Sequence, residues 1–528
     1  MMSTIKQWFD RSTLYGLLSL LIVHGIAWIT QHTIWSAIPF AILIIGTFFV
    51  TKRSLVWGFA LVMLEIIIGG HGHLIDVSLG GATIGLRLGM FCAVMLGVAY
   101  HIFFKKVRPT FVFERDMPII AILIAVIIGF IIGIFRNPFG DAFDDANAFV
   151  TLGYLLPVAM IVWTNEAKRI ILWTFALGAT WIAISSVALL YLFSHLSVDG
   201  IWALYHFVRD ARLAEVTLLS GPAWLVAMLP NGPWFFRVFE PAQAFVMFFT
   251  LVLCSMMCFI TKTWRSRVMI AIPLVLMFAV DISSQSRSFW IGLFVGGLAL
   301  SMVVLYERIS FREILRMKIV GSTASLIALL AIWVAVVIPI PQRPDLTNTK
   351  YYRGQDDDTR ELAVSSRWNL LGPMMDQIEQ SPVWGSGFGT SVTFISDDPR
   401  LREINPNGEW TTYRFEWGFH DIWIKMGIPG LLAFGWFFFT ILKATIRSIR
   451  EKEETRWLTV SLCAGIIALF ASHAFSPYLN HPIGLGFMIM VLPFFSWQKK
   501  PIPSMANVLH VAEKVALPPV RKAVTVRE

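Results

Sequence analysis

The sequence predicts an all-α polytopic integral membrane protein of about 12–14 transmembrane helices, on three observations. Hydrophobic residues make up 56% of the 528 residues and charged residues 15%, against about 25% charged in soluble domains. Apolar runs, most of them long enough for a hydrocarbon core of about 30 Å, recur along the whole chain. These runs are continuous rather than alternating, which excludes a β-barrel.

The runs fall near 14–30, 34–50, 54–69, 83–104, 117–134, 148–163, 170–193, 241–260, 268–282, 288–306, 319–339, 422–442, 457–473 and 482–497. A shorter run at 217–230, broken by Gly221-Pro222 and Pro230, reads as interfacial or re-entrant. With the N-terminus in the cytoplasm, every basic cluster between runs falls on the cytoplasmic side: Lys52/Arg53, Lys105/Lys106/Arg108/Arg115, Lys168/Arg169, Lys262/Arg265/Arg267, Arg308/Arg312/Arg316/Lys318, the cluster from Lys443 to Arg456, and Lys499/Lys500. That agreement with the positive-inside rule supports the count and places both termini in the cytoplasm. Lys6 and Arg11 precede a first run without a small-residue cleavage site, so this run is expected to stay as the first helix.

The chain divides accordingly into N-terminal transmembrane helices (1–193), a first extracytoplasmic loop (194–240), central helices (241–339), a large extracytoplasmic loop (340–421), C-terminal helices (422–497) and a Pro-containing cytoplasmic tail (498–528). The large loop is the only long polar stretch. From Arg367 to Gln380 apolar Trp368, Leu371, Met375 and Ile378 recur at helical spacing, which predicts an amphipathic helix able to lie on the membrane. Pro382 and the run Gly385-Ser386-Gly387-Phe388-Gly389 then break it. Closely spaced glycines permit tight turns and close approach, and without a following Gly-Lys-Ser/Thr they are no P-loop.

The net charge of +9 follows from these loop clusters and is orientation information rather than a nucleic-acid signature. The four cysteines, Cys92, Cys254, Cys258 and Cys463, lie inside apolar runs without metal-binding spacing, so neither disulfides nor zinc is expected. His71-Gly72-His73 has no cysteine or carboxylate cluster beside it, and no metal is expected there either.

Chemistry is expected where basic and titratable groups oppose the insertion bias. Arg287, in Ser284-Gln285-Ser286-Arg287-Ser288, opens an apolar run. An arginine in a span costs about 2.5–3.5 kcal/mol on insertion scales, and its guanidinium grips phosphate in bidentate fashion. A snorkelling arginine is the plainer alternative. Arg209, Arg212 and Arg237 in the first loop and Arg367 in the second are candidate anion-binding groups, with lipid headgroups or loop carboxylates as their alternative partners. His420 starts a run and suits a general base toward a sugar hydroxyl, the alternative being an interfacial histidine bonded to a carbonyl. Asp421 points about 100° away on a helix and is not automatically its orienting carboxylate.

Taken together the order is specific. Glu240-Pro241-Ala242-Gln243-Ala244 precedes Ser286-Arg287. Arg367-Trp368 is followed by Ser381-Pro382-Val383-Trp384-Gly385-Ser386-Gly387-Phe388-Gly389, then by His420 and Met426-Gly427-Ile428-Pro429-Gly430. Over about 240–435 this resembles the O-antigen ligase and O-antigen polymerase superfamily of bacterial inner-membrane glycosyltransferases. The resemblance implies a donor glycan on undecaprenyl diphosphate, presented at the periplasmic face and transferred with inversion, with no metal or cofactor. Arg287, with Arg212, Arg237 and Arg367, would stabilise the leaving diphosphate. His420 would take the acceptor's proton, and Gly385, Gly387 and Gly389 would position the loop. A chain-length regulator is an implied partner, and nucleic acid is not. Polymerisation of repeat units in O-antigen or exopolysaccharide synthesis is favoured. Ligation to lipid A core and transfer to a protein hydroxyl share the donor chemistry. A non-enzymatic flippase would be expected to show repeated halves, and none is seen.

Overall fold

The computed structural model describes residues 11–79, 82–220, 234–261, 263–338, 340–346 and 357–497. The predicted tail 498–528 and most of the run at 217–230 lie outside them. Helices dominate. In chain order they are α1 (Arg11–Thr30), α2 (Ala37–Arg53), α3 (Leu55–Ile68), α4 (Leu86–Phe103), α5 (Phe113–Arg136), α6 (Phe139–Ala146), α7 (Leu155–Met160), α8 (Asn165–His195), α9 (Val198–Asp210), α10 (Gln243–Phe259), α11 (Trp264–Ser283), α12 (Arg287–Tyr306), α13 (Phe311–Val337), α14 (Asp357–Gln380), α15 (Pro399–Ile404), α16 (Gly418–Arg450), α17 (Arg456–His473) and α18 (Pro482–Val491). Among the described residues ten helices are long and apolar enough to cross a membrane, and α3, α10 and α18 are shorter apolar helices. The chain is an all-α polytopic membrane protein.

One apolar run departs from expectation. Residues 147–154 form a 3-10 helix and only Leu155–Met160 is α-helical. Pro157 has no N–H for an α-helical bond and so divides the run. The segment still traverses the bundle. Gly389 N–H donates to Asp145 Oδ2 just before it, while Ala159 O accepts from Thr110 N–H near the start of α5.

Helix packing relies on small residues, as is usual where lipid supplies no hydrophobic drive between helices. Gly292 and Gly296, four apart on α12, lie against Ala468 and Ala464 of α17, where an added Cβ would approach each carbonyl oxygen to 2.8 Å. Gly129 and Gly133 of α5 form a second such pair, but their partner is a loop. Phe388 is fully buried there, its N–H donating to Gly129 O at 3.2 Å and its O accepting from Asn137 Nδ2 at 2.8 Å.

Among the described residues three antiparallel strand pairs lie between the helices: Asp76–Leu79 (β1) with Ala82–Gly85 (β2), Glu215–Ser220 (β3) with Trp234–Phe239 (β4), and Val392–Ile395 (β5) with Glu409–Thr412 (β6). The start of the run at 217–230 is thus a strand. The predicted amphipathic helix is α14, which begins at Asp357 rather than Arg367, and its buried stripe is Leu370, Met374 and Ile378. These pack on Val392, Phe394, Phe415 and Ile424. Trp368 is 58% exposed instead. The apolar face is therefore used up against the β5–β6 hairpin and α16, leaving it unavailable to a membrane surface.

The Gly-rich turn after α14 is wedged between α5, α6 and a break in α16. Gly385, Gly387 and Gly389 have φ of +75°, +91° and +77°, and Gly427 at the break has φ +63°. An added Cβ at Gly387 would stand 2.4 Å from Gly133 N, and one at Gly385 would stand 2.7 Å from Gly427 N. Ser386 N–H donates to Ile424 O and Ile428 N–H to Val383 O, at 2.6 and 3.0 Å. Gly387→Ala is expected to destabilise the protein by more than the about 1–2 kcal/mol of a left-handed L-residue, because backbone atoms cannot yield to the methyl. Gly297→Ala, where an added Cβ meets nothing within 4 Å, is expected to be neutral or slightly stabilising. Thermal unfolding of the two detergent-solubilised variants checks the contrast.

Candidate functional site

One end of the bundle collects the polar groups. A cavity of about 980 Å³ opens there between the α3–β1 turn, the start of α4, the 3-10 segment and the α9–β3 turn. Its walls carry four arginines, Arg87, Arg209, Arg212 and Arg414, with His71 and His73 between them. Arg87 is paired with Glu65, Nε to Oε2 at 2.9 Å, and Arg209 with Asp210 at 2.7 Å. Arg212 and Arg414 have no carboxylate partner among the described residues. Their shared field shows at His71, whose pKa is lowered to about 4, first by burial and then by Arg87, Arg212, His73 and Arg414. Asp144 and Glu215 also line the walls, so the cavity holds more cationic than anionic side chains.

Arg212 sits in the left-handed region, φ +50°, in the turn after α9. Its carbonyl accepts from His71 N–H at 3.3 Å, and its guanidinium lies 3.4 Å from His73 Nε2. Gln285, two residues before Arg287, has φ +49°. Such positions cost of order 1 kcal/mol and cluster at functional sites.

The other sequence-derived candidates do not line this cavity. Arg287 begins α12 with its side chain exposed, and among the described residues no hydrogen bond or ion pair engages it. His420 is the third residue of α16 and half-buried, its ring 6.3 Å from that of Trp417, with no hydrogen bond to its ring among the described residues. The turn after α17 brings these two helix starts together. Ser472 Oγ donates to Ser288 O at 2.9 Å and Ser476 Oγ to Ser288 Oγ at 3.2 Å, while the Phe475 ring lies 5.8 Å from Trp417. Arg237 joins the same side through Nε, which donates to Ser284 O at 2.8 Å. Arg367 forms an ion pair with Glu416 on the approach to His420. Glu240 and Gln243 are buried and both bonded to Ser186, so this turn anchors β4 to α8.

Beneath His420 lies a buried ion cluster that sequence reading missed. Lys425 Nζ stands 2.5 Å from Asp145 Oδ1 and 2.5 Å from Asp421 Oδ1, and over the Phe415 ring at 5.4 Å. Asn480 Nδ2 donates to Asp421 Oδ2. Asp421 therefore turns away from His420, one residue before it, and serves the cluster. Arg87 and Arg414 were missed as well. Arg87 and Lys425 both lie inside apolar runs, so the insertion cost that flagged Arg287 applies to them equally.

The architecture and this end define a multi-pass membrane protein with a cationic cavity and, at the same end, a histidine and an arginine that no hydrogen bond engages among the described residues. Residues 272–435 match the O-antigen ligase family, a stretch that takes in Arg287, Arg367, the Gly-rich turn and His420. No curated protein matches the chain. The match covers about a third of the chain, and over that stretch the chain is similar to this family.

Lys425→Met leaves two carboxylates buried without their cation. It is expected to destabilise the protein by about 3–5 kcal/mol, with part of the loss recovered by adding Asp421→Asn. A melting temperature for Lys425→Met equal to wild type would rule out the cluster as a structural tie.

Proposed function

We propose that the protein is a glycosyltransferase that moves an undecaprenyl-diphosphate-linked oligosaccharide to a sugar hydroxyl at the periplasmic face of the inner membrane, with the cavity end outward and both termini in the cytoplasm. The observation that carries this reading is the pair Arg212 and Arg414, two guanidiniums without a carboxylate partner among the described residues and lining one cavity, at the same end as His420 and Arg287. An excess of guanidiniums on one cavity wall favours an anion there, and a diphosphate is such an anion.

In this reading the diphosphate lies against Arg212 and Arg414, with Arg87 held by Glu65 as the third cation. Arg287 and Arg237 meet charge at the edge nearer His420, and Arg367 frames the approach. His420 takes the proton of the acceptor hydroxyl as its oxygen bonds to the anomeric carbon. The bond from that carbon to the diphosphate oxygen breaks, and undecaprenyl diphosphate leaves with the electron pair. One displacement inverts the anomeric centre. The arginines stabilise the departing charge in place, as preorganised donors do. Nothing in this step calls on a metal.

Polymerisation of O-antigen or exopolysaccharide repeat units is the preferred form, with ligation to lipid A core or to protein as the alternative. His420→Ala is expected to lower transfer about 10²–10⁴-fold, and Arg287→Ala to lower it without loss of membrane insertion. The glycan profile of a deletion strain and of a His420→Ala strain separates the forms. Single repeat units indicate a polymerase. Long chains retained on undecaprenyl diphosphate indicate a ligase. Normal glycans in both strains would exclude the reaction for the glycans assayed.

A further inference from the structure

The turn Gly69-Gly70-His71-Gly72-His73 between α3 and β1 has no part in the reaction as described so far. We propose that it is a diphosphate-binding element built from two neutral histidines of opposite tautomer, His71 donating Nε2–H to the anion and His73 aiming the Arg212 guanidinium. The proposal deepens the reading of the cavity as the donor site and rests on it.

Hydrogen bonding sets both tautomers. His481 Nδ1 accepts from Ile483 N–H at 3.2 Å, the first bond of α18, so its proton is on Nε2. That Nε2 lies 3.2 Å from His71 Nδ1, which must accept. The proton of neutral His71 is then on Nε2, which has no partner among the described residues, and the residue lines the cavity. His73 is wired the other way. Its Nδ1 faces the Asp76 carboxylate at 3.4 Å and so carries the proton, which leaves Nε2 to accept from Arg212 Nη1 at 3.4 Å.

The backbone makes this possible. Gly70 and Gly72 have φ of +54° and +89°, and added Cβ atoms would stand 2.5 Å from Arg212 O and 2.7 Å from Arg87 Cβ. The turn is thus pressed between the two arginines, and Arg87 Nη2 closes it by donating to Gly70 O at 2.9 Å. Burial and the adjacent arginines hold both imidazoles neutral, lowering His71 to about 4 and His73 in the same direction. Neutrality suits the role. His71 adds a directed donor to an anion without adding a charge that would hold the product. Among the described residues no three His, Cys, Asp or Glu side chains are grouped to hold a metal, and three of the four ring nitrogens in the turn are already engaged.

The test is titration of the purified full-length protein in nanodiscs with inorganic pyrophosphate. His71→Ala and His71→Asn are expected to weaken binding about tenfold, the worth of one hydrogen bond to a charged group. Asn keeps an acceptor for His481 but its amide does not reach the Nε2 position, so it removes the donor with the least disturbance of the turn. His71→Gln, whose amide reaches farther, is expected to restore affinity to within about threefold of wild type. Wild-type affinity in His71→Asn, while Arg212→Ala binds weakly, overturns the role of His71 and leaves the cavity as the anion site. Unchanged affinity in Arg212→Ala and Arg414→Ala, or a wild-type protein that takes up no pyrophosphate, overturns the reading of the cavity itself.

Discussion

The Lys425 ammonium ties this end of the molecule together. It is 3% exposed, between Asp145 at the end of α6 and Asp421 in the first turn of α16. Two charges in apolar surroundings repay their desolvation only when geometry and additional hydrogen bonds are good. Here Asn480 occupies Asp421 Oδ2, the Gly389 N–H occupies Asp145 Oδ2, and the Phe415 ring faces the cation. Asp421, Asn480 and Gly389 each lead to a segment of the candidate site. Asp421 adjoins His420, Asn480 adjoins His481, and Gly389 ends the Gly-rich turn. The start of α16, the end of the Gly-rich turn and the residue before His481 therefore meet at one buried cation.

Most of the fold was legible because lipid imposes a single rule on each span. Apolar length alone located the helices, and the basic loops gave a consistent alternation. The rule fails where backbone geometry decides. The run at 148–163 is as apolar as its neighbours, and composition does not distinguish a 3-10 helix from an α-helix; Pro157 was the available signal. In α14 the spacing predicted the helix, but the phase of its buried face depends on what packs there. The β5–β6 hairpin selects Leu370 and Met374 over Trp368 and Leu371, while Trp368 packs on Trp417 at 4.7 Å instead.

The candidate site was legible in part for the same reason. Arg287 and His420 stand at the ends of apolar runs, where polarity is conspicuous locally. Arg212 was conspicuous as a basic residue opposite the cytoplasmic clusters. Partners are another matter. Lys425 and Asp145 are 280 residues apart, and nothing local tells Asp145 from Asp141 or Asp144. His71 and His481 are 410 apart, so His71-Gly72-His73 read as an isolated pair whose third member was invisible. Arg237 and Arg367 had the right charge, but a carbonyl and a carboxylate respectively engage them outside the cavity.

Three short apolar helices share a property. α3 ends just before the His71 turn, α18 begins just after His481, and α10 begins just after Pro241, which also lines the cavity. At 1.5 Å per residue, the 14 residues of α3 rise only about 21 Å, well short of a hydrocarbon core of about 30 Å, whereas α8 and α16 run to 31 and 33 residues. Short helices make a floor and long ones make walls. The helices that border the cavity's turns therefore cover less of a hydrocarbon core's thickness than the long helices of the bundle. On the proposed reading, a phosphate carried on a membrane-embedded chain would meet the arginines near the level of its own headgroup, and the bilayer would share the work of concentrating it there.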